Sequence, residues 1–305
     1  MINLPWRHYS SLRVDLRPPV RFKRRYSVTA DILAYKRCSI QYGTFVARKY
    51  EPALAVQLFY GTIIHQVLDR AHAHYRGLIG PQIPGTLPTD ENIETYFSEV
   101  ENSLRARRIR AIEQVRNQAL EVLKRFNSLE GPSLYSRILD TECRLQADQE
   151  SYILHGNVDV LASTEGDESE VEIWDYKGSE KPSRHDSIYQ QYVFQMQVYA
   201  ELYRRKTGKT PQRAILYFLN ALKGDVVPLK RPVNATLEVE IDPLTVIEAM
   251  DNFNDTVEQI EHCRGINSWQ NPNEKPPKDT CSACDLRWNC SATIAFGNTF
   301  PLLYP

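Results

Sequence analysis

Three strand-like runs follow one another between residues 133 and 178 with only short polar joints, and that succession limits the fold more than any other feature of the chain. SLYSRILDTECRLQA, SYILHGNVDVLAST and EVEIWDYKG carry the alternation of apolar and polar side chains that a strand requires. TEGDESE is a polar turn between the second and third, so those two runs pair as an antiparallel hairpin. Helical patterns precede the meander, and helix, strand and helix follow it. That order argues for a mixed α/β domain with a helical insertion.

Before the meander, Thr29 is placed to cap a helix carrying Ile32, Leu33, Tyr35, Ile40 and Tyr42. GTIIHQVLDRAHAHY predicts a second helix. Two charged patterns over about 90 to 128 follow, with Ile109, Ile112, Val115, Leu120, Val122 and Leu123 as their apolar stripe. After the meander, 186 to 206 returns to helix, and RAILYFLN and ATLEVEI read as strands. A late helix has Asp242 as its cap and Pro243 at its first position. The chain divides into an irregular basic arm (1–27), a helical portion (28–130), an α/β core (131–265) and a cysteine-rich segment (266–305).

Lys+Arg 37 against Asp+Glu 38 leaves a net charge of -1, so an anionic partner must be held by local basic surface. RFKRR (21–25), RARRIR (105–110) and YRRKTGKTPQR (203–213) are the densest basic runs, and each also reads as a solvated face. The first 25 residues carry charges throughout and lack the apolar stretch of a signal peptide. No segment reaches the roughly 20 apolar residues that span a bilayer. These features predict a cytoplasmic protein with no membrane partner, in which cysteines are free thiols or metal ligands. No GxxxxGK[ST] loop occurs.

The hairpin brings Asp159 near Asp175, and Lys177 lies two positions further on the same side of the strand. Two carboxylates at close quarters repel unless a pKa rises, water screens them or a cation binds. Hard oxygen ligands suit Mg²⁺ or Mn²⁺, and a lysine beside them suits phosphodiester hydrolysis. The alternative is a surface ion pair at a strand end. His65 can supply a nitrogen ligand, or can join Asp69 and His72 on one helical face as an unrelated zinc site. Gln195 and Tyr199, at i and i+4, can hold a phosphate or a base, or can simply pack. Near the end, Cys281, Cys284 and Cys290 form C-x2-C-x5-C, and spacing leaves Cys38, Cys143, Cys263 and His262 open as a fourth ligand.

GTIIHQVL, GNVD, WDYK and QMQVY, in this order, resemble the RecB-type branch of the PD-(D/E)XK nuclease superfamily, whose pattern is G-x-x-x-H-x-x-L, G-x-x-D, D-x-K and Q-x-x-x-Y. The resemblance implies a restriction-endonuclease-like core, a mixed central sheet flanked by helices, within residues 131–265. It implies His65, Asp159, Asp175 and the backbone carbonyl of Tyr176 as metal ligands, Lys177 as the catalytic lysine, and Gln195 with Tyr199 as DNA contacts. One departure is that Gly178 and Ser179 follow the lysine where many members have Thr or Ser and then Gly.

Iron-sulfur members of that branch, the AddB and CRISPR-associated groups among them, place one cysteine before the nuclease motifs and three after. The resemblance therefore implies Cys38, Cys281, Cys284 and Cys290 as ligands of a [4Fe-4S] cluster, in a C-terminal segment that packs back on the N-terminal portion. Structural Zn²⁺ is the alternative for four thiolates. The implied activity is a single-strand DNA exonuclease acting on single-stranded or frayed ends. A non-cutting DNA-binding subunit serving a helicase or integrase-type complex is the second reading.

Overall fold

The computed structural model describes residues 22–51, 56–80, 83–272, 275–276 and 278–292. Strands β1 (Arg24–Ser27), β2 (Ile138–Asp148), β3 (Tyr152–Thr164), β4 (Asp167–Lys177), β5 (Arg213–Phe218) and β6 (Thr236–Glu240) form one mixed sheet. The expected meander is present, β2 with β3 and β3 with β4 antiparallel. Its second turn is tight: Thr164 faces Asp167, and Gly166 takes the positive φ of +83° that a glycine tolerates without a Cβ clash. A helical crossover then brings β5 in parallel to β4, and β6 closes the far edge antiparallel.

β3 is the pivot. β2 runs along one of its edges, while the other is shared by β1, which pairs in parallel with Tyr152–His155, and by β4, which pairs from Val160 onward. Gly156–Asp159 lies in the fork between these two partners.

Two layers cover the sheet. After β1 come short helical turns over 28–47, including α1 (Ala34–Arg37) and α2 (Ser39–Gln41). Then follow α3 (Val56–Tyr75), α4 (Asp90–Ala106), α5 (Glu113–Leu134), α6 (Ser187–Thr207), α7 (Pro243–Gly265) and α8 (Lys278–Ser282). The opening turns, α6 and α7 share one core with Val158, Ile173 and Leu216. Helices α3, α4 and α5 share the other with Val160, Trp174, Tyr176 and Tyr217. Each of these buried side chains contributes on the order of 1.5–3 kcal/mol of hydrophobic stabilisation.

Several local expectations shift. Ser27, not Thr29, caps the first helical segment, because the chain leaves β1 extended there and Ser27 Oγ accepts from Ala30 N at 3.0 Å. The end of the expected irregular arm is strand β1, too short and too charged to show alternation; residues 1–21 of that arm, like 293–305 of the last segment, lie outside the described residues. The two helices expected over 90–128 are present, but Ile109 and Ile112 of their apolar stripe lie in the link between them, with Ile112 exposed. Asp242 does cap α7, accepting from the amides of Leu244 and Thr245.

The segment after α7 packs against the opening turns. Trp269 makes edge-to-face contacts with Tyr35 and Tyr42, at centroid distances of 6.3 and 5.6 Å. Only glycine fits at position 43, where a Cβ would come within 2.2 Å of the Trp269 ring. No helix of the described residues is long and apolar enough to cross a membrane.

Candidate active site

The β3–β4 ladder has its last pair at Val160 and Trp174, so one further step sets Asp159 opposite Asp175. On the other edge of β3, Thr141 faces Val160 and Cys143 faces Val158, which sets Glu142 opposite Asp159. Three carboxylates thus stand in a row across three neighbouring strands. Helix α3 crosses above and brings His65 Nδ1 to 3.2 Å from Asp159 Oδ2. Among the described residues, His65, Glu142 and Asp159 are the one group of three such side chains whose ligand atoms lie within 4.8 Å of one another.

Asp175 is held slightly apart. Strand alternation puts it on the Ile173 face, toward α6, where Lys177 Nζ lies 2.6 Å from its Oδ2 and Gln195 Nε2 donates to its Oδ1 at 2.7 Å. Lys177 Nζ also donates to Gln195 Oε1 at 2.9 Å. Gln195 therefore locks the acid and the ammonium in one geometry from a single amide. Tyr199, one turn further and on the same helix face as Gln195, fills the space beside Gly156, where a Cβ would meet its ring at 2.7 Å. The amide of Tyr176 donates to Asp159 Oδ2 at 2.6 Å, and its buried phenol lies 3.3 Å from His72 Nε2.

The electrostatics follow from this packing. Burial alone would pull the His65 pKa down, but the Asp159 carboxylate overrides it and lifts it to about 9. Burial would raise Asp159, yet the imidazole and the Tyr176 amide bring it below the usual carboxylate range. Asp175 goes the other way: burial raises it, and the like charge of Asp159 adds to that against the pull of Lys177. Burial would lower Lys177, but Asp175, with Asp159 behind it, raises its pKa and keeps it charged. Glu142 is raised by burial first and by Asp159 next. Carboxylates outnumber cations here, the state that a divalent ion relieves, and the set of carboxylate oxygens with one imidazole nitrogen suits Mg²⁺ or Mn²⁺.

Glu142 is absent from the sequence-derived set of ligands. Its alternation in LDTECRLQA marks a polar face, but only the β2–β3 register places it beside Asp159. The other sequence-derived set, His65 with Asp69 and His72, does not converge. Asp69 lines the cleft with His65, while His72 is buried edge-on to Tyr135 at 4.9 Å.

Cys38, Cys281, Cys284 and Cys290 border one small cavity, together with Gln41 and Arg287. None forms a disulfide. Burial raises the thiol pKa values of Cys38, Cys281 and Cys284, and the neighbouring sulfurs raise them further. Thiols of this kind ionise when a cationic centre binds them. Cys143 and Cys263 lie elsewhere in the fold, Cys143 beside Lys206 and Cys263 beside Tyr35.

The sequence profile of the PD-(D/E)XK nuclease superfamily matches residues 26–291. No curated protein matches the chain. Among solved structures, a "Putative exonuclease" from Eubacterium rectale superposes with a TM-score of 0.50 at 13% identity, covering 98% of this chain and 100% of that one. At that identity the likeness is one of fold. The protein SSO0001 superposes at 0.33 with 15% identity, over 86% of this chain and 96% of that one, too low a score to carry an argument.

Proposed function

Because this chain belongs to the PD-(D/E)XK nuclease superfamily, we propose that it is a metal-dependent DNA nuclease of the RecB type, hydrolysing phosphodiesters as a single-strand exonuclease. The observation that supports this reading most directly is the convergence of His65, Glu142 and Asp159 beside the Asp175–Lys177–Gln195 unit. His65, Asp159, Asp175 and the Tyr176 carbonyl, with Glu142 added, hold Mg²⁺ or Mn²⁺. When bound, the ion polarises the phosphoryl oxygen and lowers the pKa of its water. Lys177 stays protonated and stabilises charge that develops on the phosphate. Gln195 keeps the ammonium aimed, and Tyr199 contacts DNA with it.

The four cysteines hold a [4Fe-4S] cluster that ties the opening turns to the C-terminal segment. Their convergence on one small cavity supports a shared metal centre, and four thiolates suit structural Zn²⁺ as the alternative. Such a tie between residue 38 and residues 281–290 closes a long loop and stabilises the fold.

The test is a nuclease assay with Mg²⁺ or Mn²⁺ on end-labelled single strands and duplexes. Lys177→Ala is expected to lower the rate by about 10²–10³, and equal activity would reject the catalytic assignment. Anaerobic purification with metal analysis tests the cluster: about four irons per chain are expected, and one zinc per chain would overturn it.

A further inference from the structure

Two clefts meet at the site and differ in chemistry. The first, about 700 Å³, contains Asp69, Glu142, Asp159 and Arg144, and no Phe, Tyr or Trp is among its described lining residues. The second, about 770 Å³, lies on the Lys177 side and is bordered by Arg37, Tyr60, Val115, Gln118, Tyr192 and Lys223. They share Gly61 and His65. At Gly61 a Cβ would meet nothing within 4 Å, so the saddle between the clefts is open to a ligand rather than filled by a neighbouring element. A strand laid over Gly61 would pass from one cleft to the other across His65.

The Lys177-side cleft has the parts that single-strand binding needs. Tyr60 is partly exposed, its phenol fixed by a 2.9 Å hydrogen bond to Asn220 Oδ1, which holds the ring in place. The Lys223 ammonium lies over that ring, 4.7 Å from its centroid. Arg37 has no ion-pair partner among the described residues, and neither has Arg144 in the opposite cleft. An aromatic platform flanked by uncommitted cations suits successive bases and phosphates without reading sequence.

The geometry points to Tyr60, Lys223 and Arg37 as the base-stacking half of a single-stranded DNA path. In it Tyr60 takes the face of a nucleobase, Lys223 moves from the ring to an adjacent phosphate, and Arg37 takes the next. The Glu142-side cleft holds the strand beyond the scissile phosphate through its backbone alone, with Arg144 as the phosphate contact. This deepens the nuclease reading and rests on it.

The test measures binding rather than cutting, by fluorescence anisotropy with Ca²⁺ replacing Mg²⁺, on oligo-dT and on an abasic strand of equal length. The wild type is expected to favour oligo-dT by about tenfold. Tyr60→Leu should lose most of that preference, Tyr60→Phe should keep it, and Arg144→Gln should weaken both strands equally. Lys223→Gln should weaken both and reduce the salt slope by about one, which tests the path even if Tyr60→Leu folds poorly. Retention of the preference in folded Tyr60→Leu, or an unchanged salt slope in Lys223→Gln, overturns the proposal. If the wild type still cuts DNA, the nuclease reading survives either result; a wild type that binds neither strand removes both.

Discussion

Glu172 and Asp175 lie three residues apart on β4, both buried, and their surroundings are opposite in kind. Glu172 lies on the Trp174 face of the strand. It accepts from Arg137 at 2.5 Å, from Arg213 at 2.8 Å and from the Trp174 indole at 2.9 Å. One carboxylate meets two guanidiniums, and every strong acceptor direction is filled. At Asp175 three carboxylates, with Asp159 and Glu142, meet one ammonium and one imidazole. A buried acid that the chain neutralises with its own cations is a structural device. One left short of positive charge stores repulsion that a diffusible cation can relieve.

The comparison is broken most directly by neutralising each acid in turn. Asp175→Asn is expected to lower nuclease activity by about 10²–10³ while costing less stability than the change at Glu172, because the loss of the Lys177 partner is offset by the departure of a like charge beside Asp159. Glu172→Gln is expected to cost about 1.5–3 kcal/mol of stability, since the buried carboxylate is the shared partner of Arg137 and Arg213, although Arg213 keeps Glu238. Denaturant unfolding beside a rate assay reads both. If the two substitutions destabilise alike, Asp175 is no more poised for a cation than Glu172.

A second, smaller effect sharpens the comparison at Glu142. Mn²⁺ titrated calorimetrically into the protein without DNA should bind about tenfold more weakly to Glu142→Gln, the lower end of what loss of a supporting carboxylate does. The Mn²⁺-induced rise in melting temperature should shrink with it. Unchanged affinity would mean that Glu142 contributes only repulsion.

The hairpin and its acids were legible because the signals are local: period-two alternation over 151–164 and 170–178, with a polar turn of fixed length between. The α7 cap was legible for the same reason, an Asp-Pro pair at a helix start. β1 was not, since a four-residue strand of RRYS has no period to detect and its pairing with Tyr152–His155 is decided 128 residues away. Glu142 was hidden by register, because one residue of slip across β2–β3 would move it off Asp159 altogether. The assignment of Arg137 and Arg213 to Glu172 was equally hidden: nothing in the sequence spacing couples them.

Helix α3 repeats the contrast between supplied and withheld charge in two histidines two turns apart. His65 meets Asp159 and is lifted, whereas His72 is buried against Tyr135 and Tyr176 and is pushed down to about 3 by burial. A histidine whose folded pKa lies below its unfolded value takes up a proton only on unfolding. Its stabilising contribution is therefore present above about pH 6.5 and is lost as pH falls from there toward the folded value. Between pH 7 and pH 6 this single group should cost about 0.7 kcal/mol of stability. Urea unfolding of the wild type and His72→Gln at those two pH values isolates the effect, because the carboxylates titrate alike in both proteins. The substitution is expected to flatten the pH slope by that amount while lowering stability at pH 7. A slope identical in the two proteins would show that His72 takes up no extra proton on unfolding, and that burial does not lower its pKa in the fold.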